Sequence, residues 1–213
     1  MTRLIQPARK LLAAALAALL GFGILADGVV AAGPDASQPV RGFYDALLST
    51  MRNGPALGQR GRYGRLEPVV LRSFYISYMT RMAVGSSWAA LPEVKQRQLT
   101  DAFGHYVTAT WADRFDSYSG EKLEITGERP YGPAMLVETR IVKPNGEPVT
   151  INYLMHRNGD AWRIADVYLT GTISELATRR SEFSSVLRKE GVDALIAALN
   201  RKAGNIVSAD APS

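Results

Sequence analysis

The chain has no cysteine, which excludes disulfides, thiolate nucleophiles and a thiol-linked lipid anchor together. Histidine is nearly as scarce. The two that occur, His105 and His156, stand at no metal-ligand spacing with each other, so a zinc centre has no ligand set to draw on. Also missing are a G-x-S-x-G elbow, a phosphate-binding glycine loop and the dinucleotide glycine pattern, which argues against the commonest hydrolase and nucleotide chemistries. No cofactor is called for. Charge of one sign is thin too: 25 Lys and Arg oppose 20 Asp and Glu for a net +5. Arg3, Arg9, Lys10 and Asp27 supply +2 of that, leaving about +3 beyond them. Such an excess suits approach to anionic membrane surfaces and is too small and dispersed for nucleic acid.

What is plentiful is apolar surface. Hydrophobic residues make up 46% of 213 residues, enough for one sizeable core and a short extra segment. That segment is residues 1–32, where basic residues precede an uncharged Leu- and Ala-rich run from Leu11 to Ala26, and Val30-Ala31-Ala32 offers small residues for cleavage. The pattern predicts a signal peptide over 1–32, an exported periplasmic protein and a mature α+β domain over 33–213.

Periodicity organises the domain. Phe43, Tyr44, Leu47, Leu48 and Met51 mark an amphipathic helix closed by R-N-G-P. The glycine-rich stretch 54–64, with Arg60, Arg62 and Arg65 interleaved, predicts a mobile, solvated connection into a helix near Pro68, and one reading has those arginines dock on anionic membrane. A short helix over Phe74 to Gly85 carries Tyr75, Met79, Met82 and Ala83. The longest helical pattern, Leu91 to Tyr118, has a face wide enough to contact two layers, and Gly104 within it predicts close approach by another segment or a ligand.

Past Ser119-Gly120 the period becomes two. Leu123 and Ile125 begin a strand, G-E-R-P-Y-G-P turns the chain, and Met135, Val137, Thr139 and Ile141 alternate with the mixed set Leu136, Glu138, Arg140 and Val142. Asn145-Gly146 and Asn158-Gly159 each predict a hairpin, the second with both residues at the centre of a type I′ turn. The result is a four-stranded antiparallel meander. Thr172-x-x-Glu175 then reads as a capping box opening a helix that stops at Gly191, followed by a last amphipathic helix through Leu195 and Leu199. One catalytic alternative stays open: a sheet-cone (NTF2-like) isomerase or dehydratase in which Asp166, beside Tyr153 or His156, moves a proton. Capture of that carboxylate by backbone N–H groups would remove the option.

The segments F-Y-I-S-Y-M-T-R-M-A-V-G-S-S-W, N-G-E-P-V, W-R-I-A-D-V-Y-L-T-G-T-I-S and R-R-S-E-F-S-S-V-L-R-K-E-G-V-D-A-L, in this order, resemble the MlaC-type (toluene-tolerance) periplasmic lipid-binding family. The similarity runs from about Pro39 to Lys202. T-I-N-Y-L-M and Y-L-T-G-T-I-S-E-L-A-T-R-R-S-E-F are especially similar to the hopanoid-associated subgroup, HpnM. The resemblance implies a non-enzymatic carrier in which a twisted four-stranded meander and its helices enclose an apolar lipid cavity. The implied ligand is a phospholipid or hopanoid. The implied partners are an inner-membrane lipid transporter of ABC or RND type and an outer-membrane lipoprotein complex. Such a site needs surplus apolar lining, and joined to the resemblance Tyr78, Met82, Phe103, Val107, Trp111, Met135, Val137, Ile151, Tyr153, Met155 and Val167 form the expected lipid-binding set.

Overall fold

The computed structural model describes residues 35–209, so the expected signal segment lies outside the described residues. Helix α1, Gln38–Arg52, has a proline in its first turn, where the missing N–H costs nothing, and buries Val40, Phe43, Tyr44, Leu47 and Met51 on one face. It passes at Asn53 into α2, Gly54–Ser73. Helix α3, Ile76–Val84, follows, then a 3-10 turn, Gly85–Ala90, and the long helix α4, Glu93–Arg114.

Strands β1 (Lys122–Tyr131), β2 (Ala134–Val142), β3 (Pro148–Asn158) and β4 (Ala161–Leu169) form an antiparallel meander. A fifth strand, β5 (Ile173–Ser174), adds two residues to the free side of β4. Helix α5, Glu175–Val207, closes the chain and bends at Gly191, whose φ of 84° is open to glycine and strained for other residues. The fold is thus α+β with five strands where four are expected, because a two-residue strand is too short to show a period.

The sheet's inner face carries the expected alternation. Val137, Tyr153 and Val167 lie side by side across β2, β3 and β4, and all are buried. A bulge between Leu154 and Met155 sets Ile164 opposite Met155 and Val167 opposite Tyr153, so two residues of opposite parity serve one face. Beneath them Phe43 meets Phe74 edge-on at 5.1 Å and Trp111 at 4.9 Å. Gly104 admits the close approach expected of it, since a Cβ there would meet Leu71 at 3.3 Å and Ile76 at 3.5 Å.

Several local expectations are corrected. The stretch 54–64 is helical on either side of a kink at Gly58, where φ is 57°, and Arg62, only 6% exposed, donates through Nε to Ala112 O (2.9 Å), through Nη1 to Gly54 O (3.2 Å) and through Nη2 to Gln59 Oε1. It holds the Ala112 carbonyl, which the last turn of α4 leaves open, and the Gly54 carbonyl ahead of the break at Gly58, a role that only tertiary packing reveals. Arg60 and Arg65 are exposed as expected. Gly54 sits so close to the chain after α4 that a Cβ would fall 1.8 Å from Asp116 O. The G-E-R-P-Y stretch continues β1, where an edge position tolerates Pro130, and the chain turns at Gly132. Asn158 pairs with Ala161, so the β3–β4 loop is Gly159-Asp160 with positive φ at Gly159 alone, the pattern of a II′ turn. Ser174, not Thr172, caps α5, accepting from Ala177 N at 2.9 Å. Helix α4 ends at Arg114, which releases Phe115 to Tyr118 from the helix.

Candidate functional site

A cavity of about 380 Å³ lies between α4 and the inner face of the sheet. From α4 it is lined by Phe103, Tyr106, Val107, Thr110, Trp111 and Arg114, a run that at 1.5 Å per residue extends about 16 Å. Facing them are Ile141 from β2, Val149 and Ile151 from β3, and Val167 and Leu169 from β4. Met51, Phe74, Met79 and Leu176 close the sides. Tyr106, Val107, Trp111, Val149 and Leu169 are only half-buried, so apolar side chains on interior-facing positions still present surface. The Thr110 hydroxyl donates to Tyr106 O at 2.8 Å and brings no unmet polar demand. The space is greasy and unfilled.

Its rim is charged. Asp116 is engaged by the Ser117 hydroxyl at 2.8 Å and Glu121 by Ser119 N–H at 2.8 Å. At the other end Arg179 donates to Glu182 at 2.8 Å and Glu175 at 3.1 Å, with its guanidinium 5.3 Å from the Tyr106 ring. Lys143 meets Glu147 at 3.4 Å. Among the described residues, Arg114 is the rim cation with neither ion pair nor hydrogen bond. The mouth near the end of α4 therefore offers uncommitted positive charge beside an apolar interior.

The expected lipid-binding set is divided by the structure. Phe103, Val107, Trp111, Ile151 and Val167 share the cavity wall. Tyr78 and Met82 line a second hollow of about 270 Å³ with Leu154, Ala165, Asp166, Ser174, Leu176, Ala177 and Arg180. Met135, Val137, Tyr153 and Met155 line neither. Val137, Tyr153 and Met155 are wholly buried at the far end of the same sheet face, and Met135 is half-buried beside them. Burial raises the pKa of Tyr153, whose hydroxyl feels Tyr44 but meets no partner at hydrogen-bonding geometry. Sequence reasoning missed Tyr106, Thr110, Phe115, Leu169 and Leu176. Val149 shares the period-two face with Ile151 and was legible in kind.

Asp166 is a structural anchor. Its Oδ1 accepts from Val167 N at 2.7 Å and Leu176 N at 3.0 Å, and its Oδ2 accepts from the Ser174 hydroxyl at 2.6 Å. Burial pushes its pKa up, and those three hydrogen bonds pull it back down. A carboxylate so engaged by backbone N–H groups fixes the start of α5, and the proton-transfer role loses its free base. His156 stacks on Tyr78 at 4.8 Å, and burial lowers its pKa. Among the described residues no cluster of His, Asp or Glu is placed to hold a metal ion, and no helix is long and apolar enough to cross a membrane.

A family model described as MlaC protein matches residues 41–201. The intermembrane phospholipid transport system binding protein MlaC of Haemophilus influenzae is 23% identical over 133 residues, 60% of this chain and 62% of that protein. The match thus spans less than two thirds of that relative. A solved phospholipid-binding protein from Ralstonia solanacearum, in complex with a phospholipid, superposes with a TM-score of 0.71 at 21% identity, covering 81% of this chain and 98% of that one. At that identity the likeness is one of fold.

Proposed function

The chain belongs to the MlaC family, and from that premise we propose that it is a periplasmic, non-enzymatic carrier that holds a membrane lipid by its acyl chain and passes it between membrane-bound transport complexes. The observation that carries this reading is the apolar cavity between α4 and the sheet, lined by half-buried Val107, Trp111, Val149 and Leu169. Each methylene moved from water into such a space contributes about 0.8 kcal/mol, so a chain lying along α4 is retained with few polar contacts. The same property makes release slow into water and fast into another apolar host. That is what a carrier between two membranes needs.

Polarity orients the cargo. The tail runs toward Phe103 and Leu176, and an acidic headgroup stays at the mouth, where Arg114 stands free and Lys143 is held only by an exposed pair. A phospholipid fits this arrangement. The likeness of T-I-N-Y-L-M to the hopanoid-associated subgroup makes a hopanoid the second lipid class to test. The exchange partners in this proposal are an inner-membrane lipid transporter, of ABC or RND type, and an outer-membrane lipoprotein complex.

The test is to export the full chain from a bacterial host that makes both lipid classes, purify it without detergent and identify bound lipids by mass spectrometry. Stoichiometric phospholipid or hopanoid is expected. Protein that emerges lipid-free, and stays so after incubation with vesicles of either lipid, refutes the carrier reading.

A further inference from the structure

The mouth of the main cavity carries charge of both signs on one short run of chain. Arg114 closes α4, Asp116 comes soon after it, and Glu121 stands just ahead of β1, all three lining the cavity. Among the described residues Arg114 makes no ion pair with either carboxylate, so cation and anions stand apart. Each carboxylate is oriented through a single oxygen. Asp116 Oδ1 accepts from the Ser117 hydroxyl and Glu121 Oε2 from the Ser119 N–H, which leaves Asp116 Oδ2 and Glu121 Oε1 able to accept a further hydrogen bond.

The backbone beneath these groups is held. Arg62 Nε takes Ala112 O at 2.9 Å in the turn of α4 that carries Arg114, and the Asp116 backbone packs so closely on Gly54 that position 54 has no room for a side chain. Groups fixed before a ligand arrives lose less freedom on binding, so even exposed charges can discriminate. The other charged residues of the lining are committed elsewhere. Lys143 pairs with Glu147, and Glu175 with Arg179 at the far end.

We propose that this mouth reads a zwitterionic headgroup: Arg114 takes the phosphate diester while Asp116 and Glu121 take a hydrogen-bonding ammonium, so that ethanolamine lipids are held in preference to those with a purely anionic head. The proposal rests on the carrier reading and deepens it, since it assigns the class of headgroup. A primary ammonium, like that of lysine, donates several hydrogen bonds and can serve both free oxygens. A glycerol head brings no cation, and its phosphate meets Arg114 with two carboxylates left unanswered beside it. Mixed charge at the mouth therefore favours mixed charge on the head.

The test offers lipid-free full chain vesicles made of dioleoyl phosphatidylethanolamine and dioleoyl phosphatidylglycerol in equal amounts, re-isolates the protein by gel filtration and measures the ratio of the two bound lipids by mass spectrometry. The acyl chains are identical, so the ratio reports the head alone. Wild type is expected to hold the ethanolamine lipid about threefold over the glycerol lipid, a factor in keeping with an exposed charge interaction. The double variant Asp116→Asn, Glu121→Gln is expected to abolish that preference. Arg114→Gln is expected to lower retention of both lipids and keep the preference, because the phosphate is common to the two. A wild type that binds lipid without preferring the ethanolamine head, or a double variant whose ratio equals that of wild type, overturns the proposal and leaves the carrier reading intact. A wild type that takes up neither lipid overturns both.

Discussion

The two ends of one sheet face do opposite things with the same kinds of residue. Around Val137, Tyr153 and Met155 the apolar side chains are wholly buried, with Tyr44 meeting Tyr153 edge-on at 5.8 Å. Around Ile141, Val149 and Leu169, on the same face and the same strands, equally apolar side chains border an unfilled space under α4. Composition does not separate the two ends; packing does. A sealed end holds the fold together, and the slack end is left for a guest, so the same substitution should read as lost stability at one and as lost ligand at the other.

The largest expected contrast is Val137→Asp. A carboxylate at a wholly buried site with no partner costs on the order of 4 kcal/mol or more, so chemical denaturation should find the protein unfolded or nearly so. Trp111→Asp at the slack end should remain folded by circular dichroism, because the carboxylate reaches the cavity, yet lose its lipid when bound lipid is assayed. If the two variants behave alike, the division between the ends is misplaced.

Smaller changes sharpen the contrast. Leu47→Ala in the sealed core should cost about 2–5 kcal/mol, whereas Val149→Ala beside the cavity should cost under about 1 kcal/mol in denaturant titrations of lipid-free protein, since little packing is lost where space already exists. Asp166 gives the smallest effect. Its folded pKa is raised above the ordinary 3.8, so between that value and the raised one the folded state keeps a proton that the unfolded chain has released. Stability from this group is therefore fullest in acid, falls as pH rises through the window, and levels off above it. The difference in unfolding free energy between wild type and Asp166→Asn, followed from about pH 4 to pH 7, should decline with rising pH. A rise would mean that the three hydrogen bonds outweigh the burial.

The architecture was legible where a period runs long enough to repeat. The face of α1, the two Asn-Gly hairpins and the alternation along β2, β3 and β4 all follow from spacing, whereas the turn register at Gly159, the helical stretch 54–64, the length of β1, the Ser174 cap, the end of α4 and the two residues of β5 needed coordinates. The site was half legible for a physical reason. Period two tells which face Ile151 and Tyr153 share but is silent on where along the strand the covering helix stops filling the space. Phe103, Val107 and Trp111 were readable because α4 has more apolar surface than one neighbour needs. Leu176 was not, since its helical spacing with Phe183, Val186 and Leu187 places it on a face of α5 without telling that it borders the cavity. Arg62 misled most: one of three arginines in a glycine-rich run, it looks solvated until the Ala112 and Gly54 carbonyls that claim it are seen.

The contact between Gly54 and Asp116 ties the doorway to the junction of α1 and α2. Because no side chain fits there, the lip formed by Asp116 and Ser117 is set by how α1 hands over to α2. A designer wishing to admit bulkier cargo would do better to reshape that corner than to whittle residues at the entrance. Even an added methyl at position 54 would act as a wedge under the sill.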